Sequence, residues 1–296
     1  MKLPVCALGG ALVALGFYAG SAVAEMAPPQ VIKVPMLTSA PTIDGDLSDW
    51  GAHWSVVPIH SAIKDDDKNR TGSIEVQVQY GVVGDEIYFA ARWPDPTEDR
   101  EYKQWSWKKS KKSYTRGKER DDMFAVRFDM AGDFRTCMLE KANYDVDVWL
   151  WSAGRSDAQN YATDMWHRIS FDMLESAAEY ELDDGTIIYI SKSADDGRAG
   201  FENSKPNRKK FVGDLLPGVD MIGTALGSIG DVAAKGVWQA GFWQLEMRRK
   251  LNTGNPDDVS LAGRDMIRSQ LAVFDQSFAE HKSVSGELQL DLSPFK

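Results

Sequence analysis

Residues 74–80 read Ile-Glu-Val-Gln-Val-Gln-Tyr, an unbroken alternation of apolar and polar side chains. A period of two places every second side chain on one face of a strand, and no helix can use such a pattern. Residues 86–93 follow at once, across a Gly84-Asp85 turn, so the two segments read as a β-hairpin. Further strands are predicted over 123–128, 146–151, 186–190, 237–245, 271–274 and 286–292. Helical periodicity is scarce and no internal repeat is visible. The pattern predicts an all-β fold: one antiparallel β-sandwich with long irregular loops and few short helices.

The N-terminus carries a different signal. Lys2 precedes an apolar run over 3–24, interrupted by Gly9, Gly10, Gly16 and Gly20 and closing on Ala22-Val23-Ala24. This is the layout of a secretory signal peptide, with cleavage predicted after Ala24. The glycines and short flanks argue against a membrane anchor, and no later stretch is long and apolar enough to span a bilayer. The expected product is soluble and exported, most simply to a bacterial periplasm. Residues 25–40, with Pro28 and Pro29, read as an extended lead-in, and residues 41–296 as the sandwich domain. Cys6 would leave with the signal peptide. Cys137 would then be the one cysteine of the mature chain, with no internal disulfide expected.

A net charge of -10 disfavours binding to a phosphate backbone, so nucleic acid is not an expected partner. Four histidines are too few for a multihaem or His-rich metal protein, and ten tryptophans and 11 methionines hint at a large apolar surface or ligand. The familiar hydrolase, zinc-protease, phosphate-loop, dinucleotide and C-x-x-C patterns are missing. Asp65-Asp66-Asp67 lacks calcium-loop spacing and reads as an exposed turn. The 102–120 loop carries Lys103, Lys108, Lys109, Lys111, Lys112, Arg116, Lys118 and Arg120 around Trp105 and Trp107. It reads either as a docking patch for an acidic partner or a phosphate-bearing ligand, or as a solvated insertion whose tryptophans fold back on the sandwich. The second reading is preferred, because charge runs are usually solvated. Residues 191–235, rich in Gly, Ser, Asp and Lys, read as an irregular excursion.

The run 41–50, Pro-Thr-Ile-Asp-Gly-Asp-Leu-Ser-Asp-Trp, resembles the opening strand of the family 9 carbohydrate-binding-module sandwich, which is immunoglobulin- or jelly-roll-like. Later segments are similar to one branch of that fold. They are Arg92-Trp93-Pro94-Asp95-Pro96-Thr97, 121–126, the Asp147-Val148-Trp149-Leu150-Trp151 strand running to Ser156, Gly236-Val237-Trp238, 248–253, 272–275 and 281–286. The branch is the haem-binding domain of the ethylbenzene dehydrogenase gamma-subunit family, and the resemblance runs through residues 41–292.

That resemblance implies one haem b in a pocket at one end of the sandwich, ligated by a Met and a Lys, and a function in electron transfer. It also implies redox partner proteins, such as the molybdenum-containing catalytic and iron–sulfur subunits of a periplasmic enzyme, with this chain as the non-catalytic subunit. Met138 and Lys282 coincide with the two ligand positions, and His281 is the substitute for Lys282. Covalently linked relatives carry C-x-x-C-H where this chain has Phe134-Arg135-Thr136-Cys137-Met138, so two thioether bonds are impossible here. The haem is expected to be non-covalent, a single link through Cys137 being the lesser alternative to an inert buried thiol. Arg155 and Arg249 are candidate partners for the haem propionates, or else members of ordinary salt bridges. His53, His60 and His167 could also ligate, but nothing in their sequence surroundings singles them out. Surrounding Trp and Met side chains would wall the pocket. The competing functions are a carbohydrate-binding module with stacking tryptophans and a haem-free interaction scaffold.

Overall fold

The computed structural model describes residues 28–61, 70–277 and 283–295. In chain order its strands are β1 (Gln30–Lys33), β2 (Ser55–Ser61), β3 (Ile74–Val83), β4 (Glu86–Pro94), β5 (Trp105–Lys108), β6 (Ser113–Arg116) and β7 (Met123–Gly132). They continue as β8 (Tyr144–Ser152), β9 (Tyr161–Ser170), β10 (Ala178–Glu181), β11 (Ile187–Ala194), β12 (Phe201–Asn203), β13 (Leu215–Leu216) and β14 (Val219–Met221). The last are β15 (Val232–Gln239), β16 (Phe242–Lys250), β17 (Met266–Phe274), β18 (Ser283–Ser285) and β19 (Leu288–Asp291). The only helical residues described are single 3-10 turns, as the scarcity of 3.6-residue periodicity requires.

Two antiparallel layers face each other. One is β2-β3-β4-β16-β15. The other is β17-β7-β8-β9-β11-β10. β18 bridges β17 to β2, and β15 touches β9 at Val232 and Ala233, so the sandwich closes at both edges into a flattened ring. The expected antiparallel sandwich is thus what the chain forms. The lead-in joins it: β1 runs parallel to β19, which pairs with β17.

Apolar side chains fill three layers. The interior holds Trp93, Trp149, Trp151 and Trp243 with Phe89, Phe124 and Phe128. The outer face of the β7-β8-β9-β11 layer carries a second cluster, and the outer face of β4 a third, built on Trp50, Tyr88 and Ala90. Strands covered on both faces lose their polar alternation, which is why β7 begins Met-Phe-Ala-Val.

The 41–50 run is not a strand. It is an irregular segment with a 3-10 turn at Leu47–Asp49, and it lies over the outer face of β4. Its anchor is Glu246, fully buried on β16. Trp50 Nε1 donates to Oε1 of Glu246 at 2.7 Å, and the Gly45 N–H donates to Oε2 at 2.7 Å. Gly45 has φ +86, and a Cβ there would strike Val237, so only glycine fits.

Three other expectations change. The 237–245 segment is two strands, because Ala240 and Gly241 turn at positive φ and bring Trp238 opposite Trp243. The Lys-rich loop is a hairpin, β5-β6, extended by β13. Its tryptophans do not fold back on the sandwich. Trp105 donates to Ser204 Oγ at 3.0 Å, and Trp107 packs edge-on against Tyr114 and Phe211.

Candidate functional site

Met138 lies in the second apolar cluster. It is 7% exposed, in a cluster that also holds Phe134, Tyr144, Val146, Ile169, Ile190 and Phe274. Strand alternation explains the wall beneath it. Met123 and Ala125 on β7, Tyr144, Val146 and Val148 on β8, and Ile169 on β9 all point outward from the same layer. The 134–142 segment crosses over them and contributes Phe134, Met138 and Ala142. Val284 of β18 packs against the same cluster. Lys282 and His281 themselves lie outside the described residues.

One side chain ties the two sides of this cluster together. Gln270 on β17 is 3% exposed, and its Nε2 donates to the carbonyl of Thr136 at 3.0 Å and to that of Ser285 at 2.7 Å. The segment bearing Met138 and the strand that follows Lys282 in sequence are therefore held by one buried amide.

Two polar groups look out of place in this apolar layer. His167 sits on β9 between Met165 and Ile169 and pairs across to Val146. It is buried, and neither ring nitrogen has a hydrogen-bond partner among the described residues. Burial, and then the charges of Lys192 and Arg127, hold its pKa well below the usual histidine value, so the ring is neutral. Arg127 of β7 donates Nη2 to the Arg135 carbonyl and lies 5.0 Å from the Phe134 ring centre. Its Nε and Nη1 make no hydrogen bond, although the Tyr144 phenol stands near enough to act on its charge. Sequence reading passed over Arg127, and it left His167 undistinguished. The available signal for Arg127 was a charge at an alternation position of a strand otherwise read as apolar.

The other named residues lie elsewhere. Arg249 is not placed to fork onto a propionate. It is fully buried, and its Nη1 donates to Asp147 at 2.7 Å, Asp164 at 3.0 Å and Asp258 at 3.1 Å. Arg155 borders the cluster, with Nη2 2.8 Å from Met123 Sδ, but its Nε donates to Asp121 at 3.1 Å and its guanidinium stacks over Tyr102. Cys137 is buried; the other cysteine, Cys6, lies outside the described residues. The large tryptophans line the sandwich interior and not the Met138 layer, whose sulfur neighbours are Met123 and Met165.

A family profile described as "Ethylbenzene dehydrogenase" matches residues 48–285. The chain belongs to the ethylbenzene dehydrogenase family. No curated protein matches it. Among solved structures it is similar to a carbohydrate binding module family 9 (CBM9) from Caldicellulosiruptor kristjanssonii in complex with glucose, at 11% identity and a TM-score of 0.36, covering 88% of this chain and 96% of that one. The same module in complex with cellotriose gives 13% identity and a TM-score of 0.34, with 88% and 94% covered. The Met138 layer, Gln270 and Arg127 all fall within the span of the family match. No helix among the described residues is long and apolar enough to cross a membrane.

Proposed function

We propose that this member of the ethylbenzene dehydrogenase family is a non-catalytic, haem b-binding electron-transfer subunit. In this reading it is exported to the periplasm by the 1–24 leader and works with molybdenum-containing and iron–sulfur subunits, as a gamma subunit does. Family membership supports the place in an oxidoreductase complex. The observation that carries the haem reading is the Gln270 amide, which joins the Thr136–Met138 segment to the strand following Lys282.

The residues present fit a haem. Its faces are apolar, and the Met138 layer is apolar. Its propionates are carboxylates, and Arg127 has two nitrogens without a partner. Bound haem supplies one-electron redox chemistry at its iron. Met138 would offer a soft, neutral thioether, which favours the ferrous state and raises the potential. Lys282, with His281 as substitute, would offer nitrogen, and lysine must be neutral to do so. His167 is a neutral imidazole in the same layer and joins them as a nitrogen candidate. Held by two protein side chains, the group would suit electron transfer and not substrate activation.

The sugar-binding alternative needs exposed, coplanar rings. Six of the ten tryptophans are buried, and the other four, Trp54, Trp107, Trp166 and Trp238, are half-buried. The deciding experiment is an optical spectrum of the exported protein, oxidised and dithionite-reduced, followed by acid-acetone extraction. A Soret band with sharp reduced α and β bands, and haem moving into the acetone, is the expected result. No Soret band, even after hemin is added, would overturn the reading.

A further inference from the structure

Asp195 follows β11 directly and is 7% exposed. Its backbone N–H is satisfied by the Asp164 carbonyl at 3.2 Å, but both carboxylate oxygens are buried without a hydrogen bond. One oxygen each of Asp195, Asp257 and Asp258 lie within 4.8 Å of one another. The other two carboxylates are oriented by donors. Asp257 accepts from Ser228 Oγ and from the Asp196 N–H, both at 3.0 Å. Asp258 accepts from Arg249 at 3.1 Å, from Asn255 at 3.3 Å and from Thr253.

The charge around this point does not balance. Asp147, Asp164, Asp195, Asp231, Asp257 and Asp258 act on one another, and Arg249 is the cation that opposes them. A buried, unpaired carboxylate is costly and is relieved either by a proton or by a cation. We propose that Asp195, Asp257 and Asp258 form a calcium site that pins three connections of the sandwich: the end of β11, the 228–231 turn and the β16–β17 loop. The donors are all carboxylate or hydroxyl oxygen, which selects a hard cation over zinc or copper. Calcium accepts six to eight oxygens in irregular geometry, whereas magnesium demands a near-ideal octahedron. Without a cation, burial and then the charges of Asp257, Asp147 and Asp258 push the Asp195 carboxyl up to about 8. The site shares no residue with the Met138 layer, so it stands or falls apart from the haem reading.

The test is thermal melting and calcium titration calorimetry of the whole exported protein after EGTA treatment. At 100-fold over its Kd, calcium should raise the Tm by about 5 °C or more, and magnesium at the same concentration by much less. Asp195→Asn should weaken calcium binding at least tenfold and abolish the shift. In EGTA the same variant should melt no lower than the parent, because without a cation the Asp195 carboxyl is held protonated and the amide replaces a neutral acid. Should Asp195→Asn fail to fold, Asp257→Asn is read the same way. A parent protein that neither binds calcium nor changes its Tm would overturn the proposal. So would a full calcium shift that survives in Asp195→Asn.

Discussion

Gln270 donates its side-chain amide to the carbonyl of Ser285 at 2.7 Å, and the same nitrogen reaches Thr136 at 3.0 Å. β17 is a central strand bonded to β7, β18 and β19, so Gln270 projects from a rigid element. It ties the Thr136 segment, which belongs to no strand, to β18. Gln270→Leu keeps the volume and removes both donations. It should cost about 1–3 kcal/mol, because two carbonyls lose a buried donor. Urea unfolding measures this, and a hemin titration of the same variant should show weaker binding. An unchanged urea midpoint would show that the tie carries no stability.

Met138 has two separable roles, packing and ligation. Met138→Leu conserves volume and should cost the haem-free protein less than about 1.5 kcal/mol. Met138→Ala leaves a cavity and should cost about 2–5 kcal/mol. Under the haem reading both variants lose the thioether, so both should weaken haem binding and shift the potential downward. Melting curves without haem, set beside spectra and potentials with it, separate the two roles. A Leu variant with the parent spectrum and potential would remove Met138 as a ligand.

Glu246 ties the 41–50 segment to the sandwich by accepting from Trp50, Gly45 and, at 3.1 Å, Asp44. Glu246→Ala leaves those donors facing a fully buried gap. The expected cost is about 2–4 kcal/mol, since several hydrogen bonds to a charged group are lost together. The loss should be local first. Limited proteolysis should cut between residues 37 and 54 sooner in the variant, and identical cleavage kinetics would refute the anchor.

The 74–80 strand, read accurately, has one face toward the core and polar residues between, whereas 86–93 is covered on both faces and was legible from its apolar run and the Gly84-Asp85 turn before it. Where a turn sits in an aromatic run, the pattern misleads. Trp238 to Trp243 is a hairpin end that reads as one strand. β9 went unread because Asp164, His167 and Arg168 interrupt its apolar positions. Met138 could be named from motif order, since it sits in a short recognisable run. Arg127, His167 and Gln270 could not, because each is defined by partners, or their lack, supplied by distant strands. Arg249 was misassigned for the same reason: its three aspartates come from β8, β9 and the β16–β17 loop.

Asp95 and Asp122 give the fold an unusual pH dependence. Burial is the main cause in both, and it pushes Asp95 up to about 7 and Asp122 up to about 8, with the Asp95 charge adding to the rise at Asp122. Both folded values exceed the ordinary 3.8, so the folded state holds protons that the unfolded chain has released. Stability is then greatest at low pH and falls as pH rises from about 4 through about 8, by up to about 1.4 kcal/mol per pH unit for each group. Asp95→Asn retains an oxygen to accept from the Thr97 N–H, now at 3.1 Å, and removes one titrating group together with the charge felt by Asp122. Between pH 5 and 7 its stability should fall less steeply than the parent's, by about 1.4 kcal/mol per pH unit. Urea midpoints at pH 5, 6 and 7 measure both slopes. Parallel slopes would mean that the Asp95 carboxyl is already ionised in the folded protein at pH 5.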